Sequence, residues 1–148
     1  GGITGYYMDY KDQLVLTGKI NDVGAYTRTN IPKSYRMGIE LTASAEINSW
    51  MNIAGNFSLS KNKVLDFTEY TDDYDNGGQK TNKYSSTDIA YSPTIVGGAT
   101  ANFNFIKNVE FSLLSKYVGK QYLDNTQKES RKLNAFYTQD ARLTYNFN

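Results

Sequence analysis

From Ser34 to Glu46 no residue breaks a two-residue alternation. Tyr35, Met37, Ile39, Leu41, Ala43 and Ala45 fall on one side. Ser34, Arg36, Gly38, Glu40, Thr42, Ser44 and Glu46 fall on the other. Successive side chains of a strand point to opposite faces, so this pattern predicts a strand with one apolar and one polar face. At helical spacing the apolar positions would scatter around the axis.

The same rhythm recurs along the chain. Met51, Ile53, Gly55, Phe57 and Leu59 share a face, which Lys61 and Lys63 interrupt before Leu65 and Phe67 resume it. Tyr91 to Phe105, Val109 to Val118 and Tyr137 to Phe147 follow, with Leu114 and Val118 suggesting a bulge. Near the start, Tyr6, Met8, Tyr10, Leu14 and Leu16 form one side and Tyr7, Asp9, Lys11, Gln13 and Val15 the other. The fold class read from this is all-β: about six long antiparallel up-and-down strands, longer than the usual 5–6 residues. Connections alternate in length. Ile47–Trp50 and Lys107–Asn108 are short turns, whereas Thr17–Lys33, Thr68–Ala90 and Leu123–Ala135 read as long loops. Thr68–Thr87 has scarcely an aliphatic residue, so it is expected to bury no core and to be mobile.

Composition removes most chemistry. The 148 residues include no His and no Cys. That excludes Ser-His-Asp catalysis, thiolate metal sites and disulfides. A net charge of +1 argues against a nucleic-acid partner. Asp73 and Asp75 fit the start of a calcium loop, but Gly77 and Lys83 occupy later ligand positions. A solvated acidic loop is the plainer reading, and no metal is expected. Gly97-Gly98 lacks the Lys and helix of a phosphate loop and reads as a bend or close backbone approach. Glu40 and Glu46 are about 20 Å apart along one strand, too far for a hydrolytic pair. Asp140 and Arg142 read as an ion pair on one face. No catalytic residue and no cofactor is expected, and the chain does not read as an enzyme.

One face of every strand must leave water. It packs on a second layer in a soluble protein, or meets lipid in a closed barrel, the only sheet that leaves no backbone group unpaired in hydrocarbon. Strands of this length cross a bilayer. Short turns at one end with long loops at the other, and aromatics such as Trp50, Phe103 and Phe105 at strand ends, suit a transmembrane barrel. The polar average hydropathy of -0.58 does not exclude it, because alternation averages out. The alternative is a soluble or secreted β-domain whose Tyr and Asn bind carbohydrate or protein.

Tyr6-Tyr7-Met8-Asp9-Tyr10-Lys11-Asp12-Gln13-Leu14-Val15, then Leu16-Thr17-Gly18-Lys19-Ile20-Asn21-Asp22-Val23-Gly24, then Arg28-Thr29-Asn30 and Ser34-Tyr35-Arg36-Met37-Gly38-Ile39-Glu40, resemble the C-terminal barrel portion of TonB-dependent outer-membrane receptors. The match is specific over Tyr6 to Phe67 and rests on rhythm beyond. The resemblance implies a barrel of about 22 strands with a plug domain. It implies import of a scarce nutrient, such as a siderophore, haem, cobalamin or glycan, across the outer membrane. The implied partners are outer-membrane lipid, the rest of the barrel and plug, the TonB complex through an N-terminal region, and the nutrient itself. Residues 1–148 are then one segment of the barrel domain: an internal fragment without plug or signal peptide, some strands short of the C-terminus. Its long loops would form part of the extracellular mouth, with Tyr26, Arg28, Asp72, Tyr74 and Tyr122 as candidate ligand contacts.

Overall fold

Apolar side chains alternating with polar ones over so many residues select the pleated strand, and nine strands form among the described residues. The computed structural model describes residues 1–147, with only the backbone of residues 16, 18 and 26. The strands are β1 (Gly2–Ile20), β2 (Tyr26–Asn48), β3 (Met51–Asp72), β4 (Gln79–Asp88), β5 (Ile95–Ile106), β6 (Val109–Val118), β7 (Gln121–Tyr122), β8 (Lys132–Leu133) and β9 (Phe136–Tyr145). One antiparallel sheet runs β1-β2-β3-β5-β6-β9, and β4 pairs β3 beside that path. The six strands of the path match the six expected. The sheet is open, with β1 and β9 at its edges.

Register fixes the two faces. Ile3, Leu41 and Phe57 lie in one row, and Gly5, Ile39 and Leu59 in the next. Ala43, Gly55 and Ala99, and likewise Met51 and Phe103, carry the apolar face onward across β5. Glu40 with Ser58, Asn52 with Asn102, and Ser112 with Arg142 mark the polar face. The pairing also corrects the reading of β1. Tyr6, Met8 and Tyr10 stand opposite Gly38, Arg36 and Ser34, on the polar side, whereas Ile3 and Tyr7 share the apolar one. Tyr6 covers Gly38: a Cβ there would lie 2.8 Å from the tyrosine hydroxyl and 2.6 Å from the Leu59 carbonyl. Only glycine leaves room for that crossing.

Two of the expected long loops are instead strands. β1 and β2 continue past the sheet to a turn at residues 21–25, and β3 and β4 to a turn at 73–78. Polar side chains do not prevent a ladder, because the ladder is made by backbone groups. At the tip of β3–β4, Asp73 Oδ1 accepts from the backbone N–H of Asp75 and Asn76, and Gly77 and Gly78 take positive φ. This Asx-type turn accounts for the acidic run. Among the described residues no carboxylate cluster could hold a metal ion.

β2 stops pairing with β3 at Lys33–Leu65. One position farther, Asp12 faces Pro32, and Asp12 and Asp66 have φ of 55° and 54°. Proline offers no N–H to carry the ladder on. Left-handed residues break strand alternation, so the face each strand turns inward changes parity here. Tyr10, Ser34 and Val64 lie on the polar face below this row. Val15, Ile31 and Phe67 lie in the core above it. Phe67 therefore does not resume the apolar face. It is 2% exposed and packs with Val15, Ile31, Val64, Ile89 and Tyr84.

The expectation that Thr68–Thr87 buries nothing fails for the same reason, since Glu69 and Thr87 are buried and Tyr84 stacks on Phe67 at 6.1 Å. β5 begins at Ile95, not Tyr91: residues 89–94 form no strand, although the Ser60 N–H still donates to the Thr94 carbonyl at 2.8 Å. Tyr91 has φ of 53°, and the Ser92 hydroxyl accepts from Arg36 on the polar face at 3.1 Å. The register of β5–β6 is unbroken past Leu114 and Val118, and its one irregularity falls at Phe103–Ile106. Arg142 approaches Glu110 at 4.0 Å and forms no ion pair with Asp140. A Cβ at Gly97 or Gly98 would meet nothing nearer than 3.5 Å, so no close backbone approach requires those glycines.

Candidate functional site

The arms β1–β2 and β3–β4 rise from one end of the sheet, and the segment between β6 and β9 folds back against them. That segment holds the small β7–β8 pair and a 3-10 turn at Glu129–Arg131. Backbone N–H groups of Ala90 and Tyr91 donate to the Asn125 side chain and the Tyr122 carbonyl at 2.8 and 2.9 Å. These bonds hold the returning segment over residues 89–91.

A buried carboxylate closes the junction. The Glu69 side chain is 4% exposed. Lys128 Nζ donates to its two oxygens at 2.8 and 3.1 Å, and Arg131 Nη1 donates at 3.0 Å. Tyr84 and Asn82 donate from β4 at 3.0 and 3.2 Å. Burial pushes the Glu69 carboxyl up, but these hydrogen bonds and the Lys128 charge outweigh it and hold its pKa below the usual glutamate value. Arg131 also donates to Asp124 at 2.6 Å. Burial raises the Asp124 carboxyl too, yet hydrogen bonds from Thr126 and Arg131 leave it lowered.

Beside this junction opens a cavity of about 470 Å³. Phe67, Tyr70 and Tyr74 give it aromatic surface, and Glu69, Asp72, Asp124 and Arg131 give it charge. Of the sequence-predicted contacts, Asp72 and Tyr74 line the cavity together. Asp72 accepts from Gln79 at 3.0 Å, and Tyr74, at the arm's tip, is 92% exposed. Arg28 is exposed on β2 and does not line the cavity. Tyr26 starts β2 opposite Ile20, and its side chain lies outside the described residues. Tyr122 is buried, and its hydroxyl donates to Glu129 at 2.8 Å. Sequence reasoning missed Glu69, Asp124 and Arg131. They come from segments about 60 positions apart, and only the fold joins them.

The sheet below the arms exposes Met37, Ile39, Leu41, Phe57, Leu59, Tyr117, Tyr137 and Leu143 on its apolar side. A family model described as TonB dependent receptor-like, beta-barrel, matches residues 1–148. The chain belongs to this TonB-dependent receptor barrel family. Comparison with curated proteins gives no match. The family is one of outer-membrane receptors and transporters, not of enzymes. Its members work with a plug domain, the TonB complex and a ligand.

Proposed function

We propose that this chain is one segment of an outer-membrane TonB-dependent receptor that imports a scarce nutrient such as a siderophore, haem, cobalamin or glycan. The sheet supplies part of the barrel wall, with its apolar face to lipid and its polar face to the lumen. The arms and the returning segment supply part of the extracellular mouth. There Asp72 and Tyr74 contact the ligand within the cavity, with Tyr26, Arg28 and Tyr122 as neighbouring candidates. The rest of the barrel, the plug and the TonB complex complete the transporter.

One observation carries this reading: a continuous apolar face on strands long enough to cross a bilayer, left uncovered while the opposite face is polar. Soluble monomers rarely expose apolar patches of such extent. That counts against the alternative of a soluble carbohydrate- or protein-binding β-domain.

Single cysteines in the full receptor test it, since this segment has none of its own. Met37→Cys and Phe57→Cys should be reached by lipid-borne probes. Arg36→Cys and Asn56→Cys should react with water-borne ones. Tyr74→Cys should react with an impermeant maleimide on intact cells. Equal water access to both faces would overturn the proposal. In uptake assays Asp72→Ala and Tyr74→Ala should raise KM more than they lower kcat. Unchanged KM in both would remove the cavity from the ligand site.

A further inference from the structure

The apolar face ends in lysines. Lys61 lies in the row of Met37 and Tyr7, and Lys63 in the next row with Tyr35 and Asp9. Lys11 and Lys33 face each other directly in the row after that. Register alone puts all four on the apolar side of the sheet. Directly opposed like charges destabilise a strand pair. Lys63 is neutralised by Asp88 at 2.6 Å, but among the described residues Lys11, Lys33 and Lys61 form no ion pair. Asp9 shares the face, and Asp12 and Asp66 stand one row farther from the apolar rows. None of these carboxylates lies within ion-pair distance of the three lysines.

A groove runs along the apolar rows to Lys61 and Lys63, the near end of this lysine face. It occupies about 630 Å³ and is lined by Gly5, Met37, Ile39, Leu59, Lys61 and Lys63, among others. Two features hollow it out. Gly5 carries no side chain, and nothing lies within 4 Å of where its Cβ would be. Residues 89–94 form no strand beside Leu59–Lys63, because the β4 ladder stops at Lys63–Asp88 and the β5 ladder starts at Leu59–Ile95. Lys61 is the unpaired ammonium of the lining, beside the Lys63–Asp88 pair, and Lys11 and Lys33 lie farther along the same face. An apolar channel that meets this charge matches an acyl chain joined to an anionic head.

We infer that this groove and the Lys11–Lys33–Lys61 cluster bind a phosphorylated anionic lipid of the outer leaflet, acyl chain along Gly5, Ile39 and Leu59 and phosphate at the lysines. The inference rests on the outer-membrane reading above. The groove then fixes the height of the segment in the membrane, because the head group and the lysines must lie at one level.

The test uses the full receptor in vesicles, with an environment-sensitive label on Leu41→Cys, beside the groove but outside its lining. Brominated phosphatidylglycerol is compared with brominated phosphatidylcholine as quencher. The expected result is preferential quenching by phosphatidylglycerol, about five-fold per engaged lysine. The preference should be lost in K11Q/K33Q/K61Q and kept in K11R/K33R/K61R. Equal quenching by the two lipids overturns this inference and leaves the barrel reading intact. Quenching by neither overturns both. Should the glutamine variant fail to insert, salt decides: a preference in the unaltered receptor that survives 0.5 M salt is not electrostatic and overturns the inference.

Discussion

β3 obeys two opposite burial rules along one strand. From Met51 to Leu59 its large apolar side chains, Phe57 and Leu59, stay exposed, and its polar ones face the other side. From Val64 to Glu69 it buries Val64, at 0% exposure, and Phe67, and a carboxylate is buried with them. The lower part keeps order through backbone ladders on both sides, to β2 and β5. Beyond Leu65 the upper part has a ladder only to β4, and side chains do the rest. The difference follows from the solvent each part is proposed to meet: lipid accepts exposed aliphatics below, while water above drives them together.

Substitutions in the two halves should therefore fail in different ways. The largest effect is expected for Phe67→Ala, which leaves a void against Val15, Ile31 and Ile89 and costs about 3–5 kcal/mol. Hydrogen exchange should then rise in residues 79–88 and 119–135 and stay unchanged in 51–59. A rise in 51–59 as well would show the halves to be one cooperative unit. Leu41→Lys should cost about 2–4 kcal/mol in a bilayer and almost nothing in water. Equal stability of that variant in both, measured by denaturant titration, would remove the contrast of solvents.

Glu69→Gln comes next. It leaves Lys128 and Arg131 facing a neutral amide. Both are part-exposed, so we expect about 2 kcal/mol, well under the cost of breaking a fully buried pair. Acid should mimic it. The folded-state pKa of Glu69 is depressed, so its contribution is present above the unfolded value near 4.5 and is lost as pH falls through the lower folded value. Proteolysis of residues 119–135 should accelerate in that window for the parent, and much less for Glu69→Gln. The smallest effect is expected at the parity change. Asp66→Val puts a β-branched residue at φ of 54° and should cost about 1–2 kcal/mol, while Asp66→Gly should be near neutral. A neutral valine, read by thermal melting, would mean that the left-handed turn at Asp66 is dispensable.

The lower half was largely legible in the sequence. Period-2 alternation located six strands, and register confirms Met37, Ile39, Leu41, Phe57 and Leu59 on one face. The upper half was not. Its strands carry polar residues on both sides, so alternation is silent, and their ladders are a backbone property. Phe67 was misplaced because parity was extrapolated through Asp66, whose φ no composition reveals. Asp72 and Tyr74 were candidates only through their place in an expected long loop, and both line the cavity. Glu69 and Arg131 were not, because nothing local distinguishes a glutamate that will meet an arginine 62 residues later.

The fork above Lys33–Leu65 also bears on how such a chain tolerates change. Below it, each inner strand is locked between two neighbours, and a one-residue slip would exchange its lipid and lumen faces. Above it, each arm is a hairpin whose backbone ladder closes on itself, and the two arms meet through side chains such as Val15, Ile31 and Phe67. Residues added in pairs at 21–25 or 73–78 lengthen an arm while every pairing beneath keeps its register. The arms are thus free to diversify in reach and side-chain chemistry while the wall stays fixed.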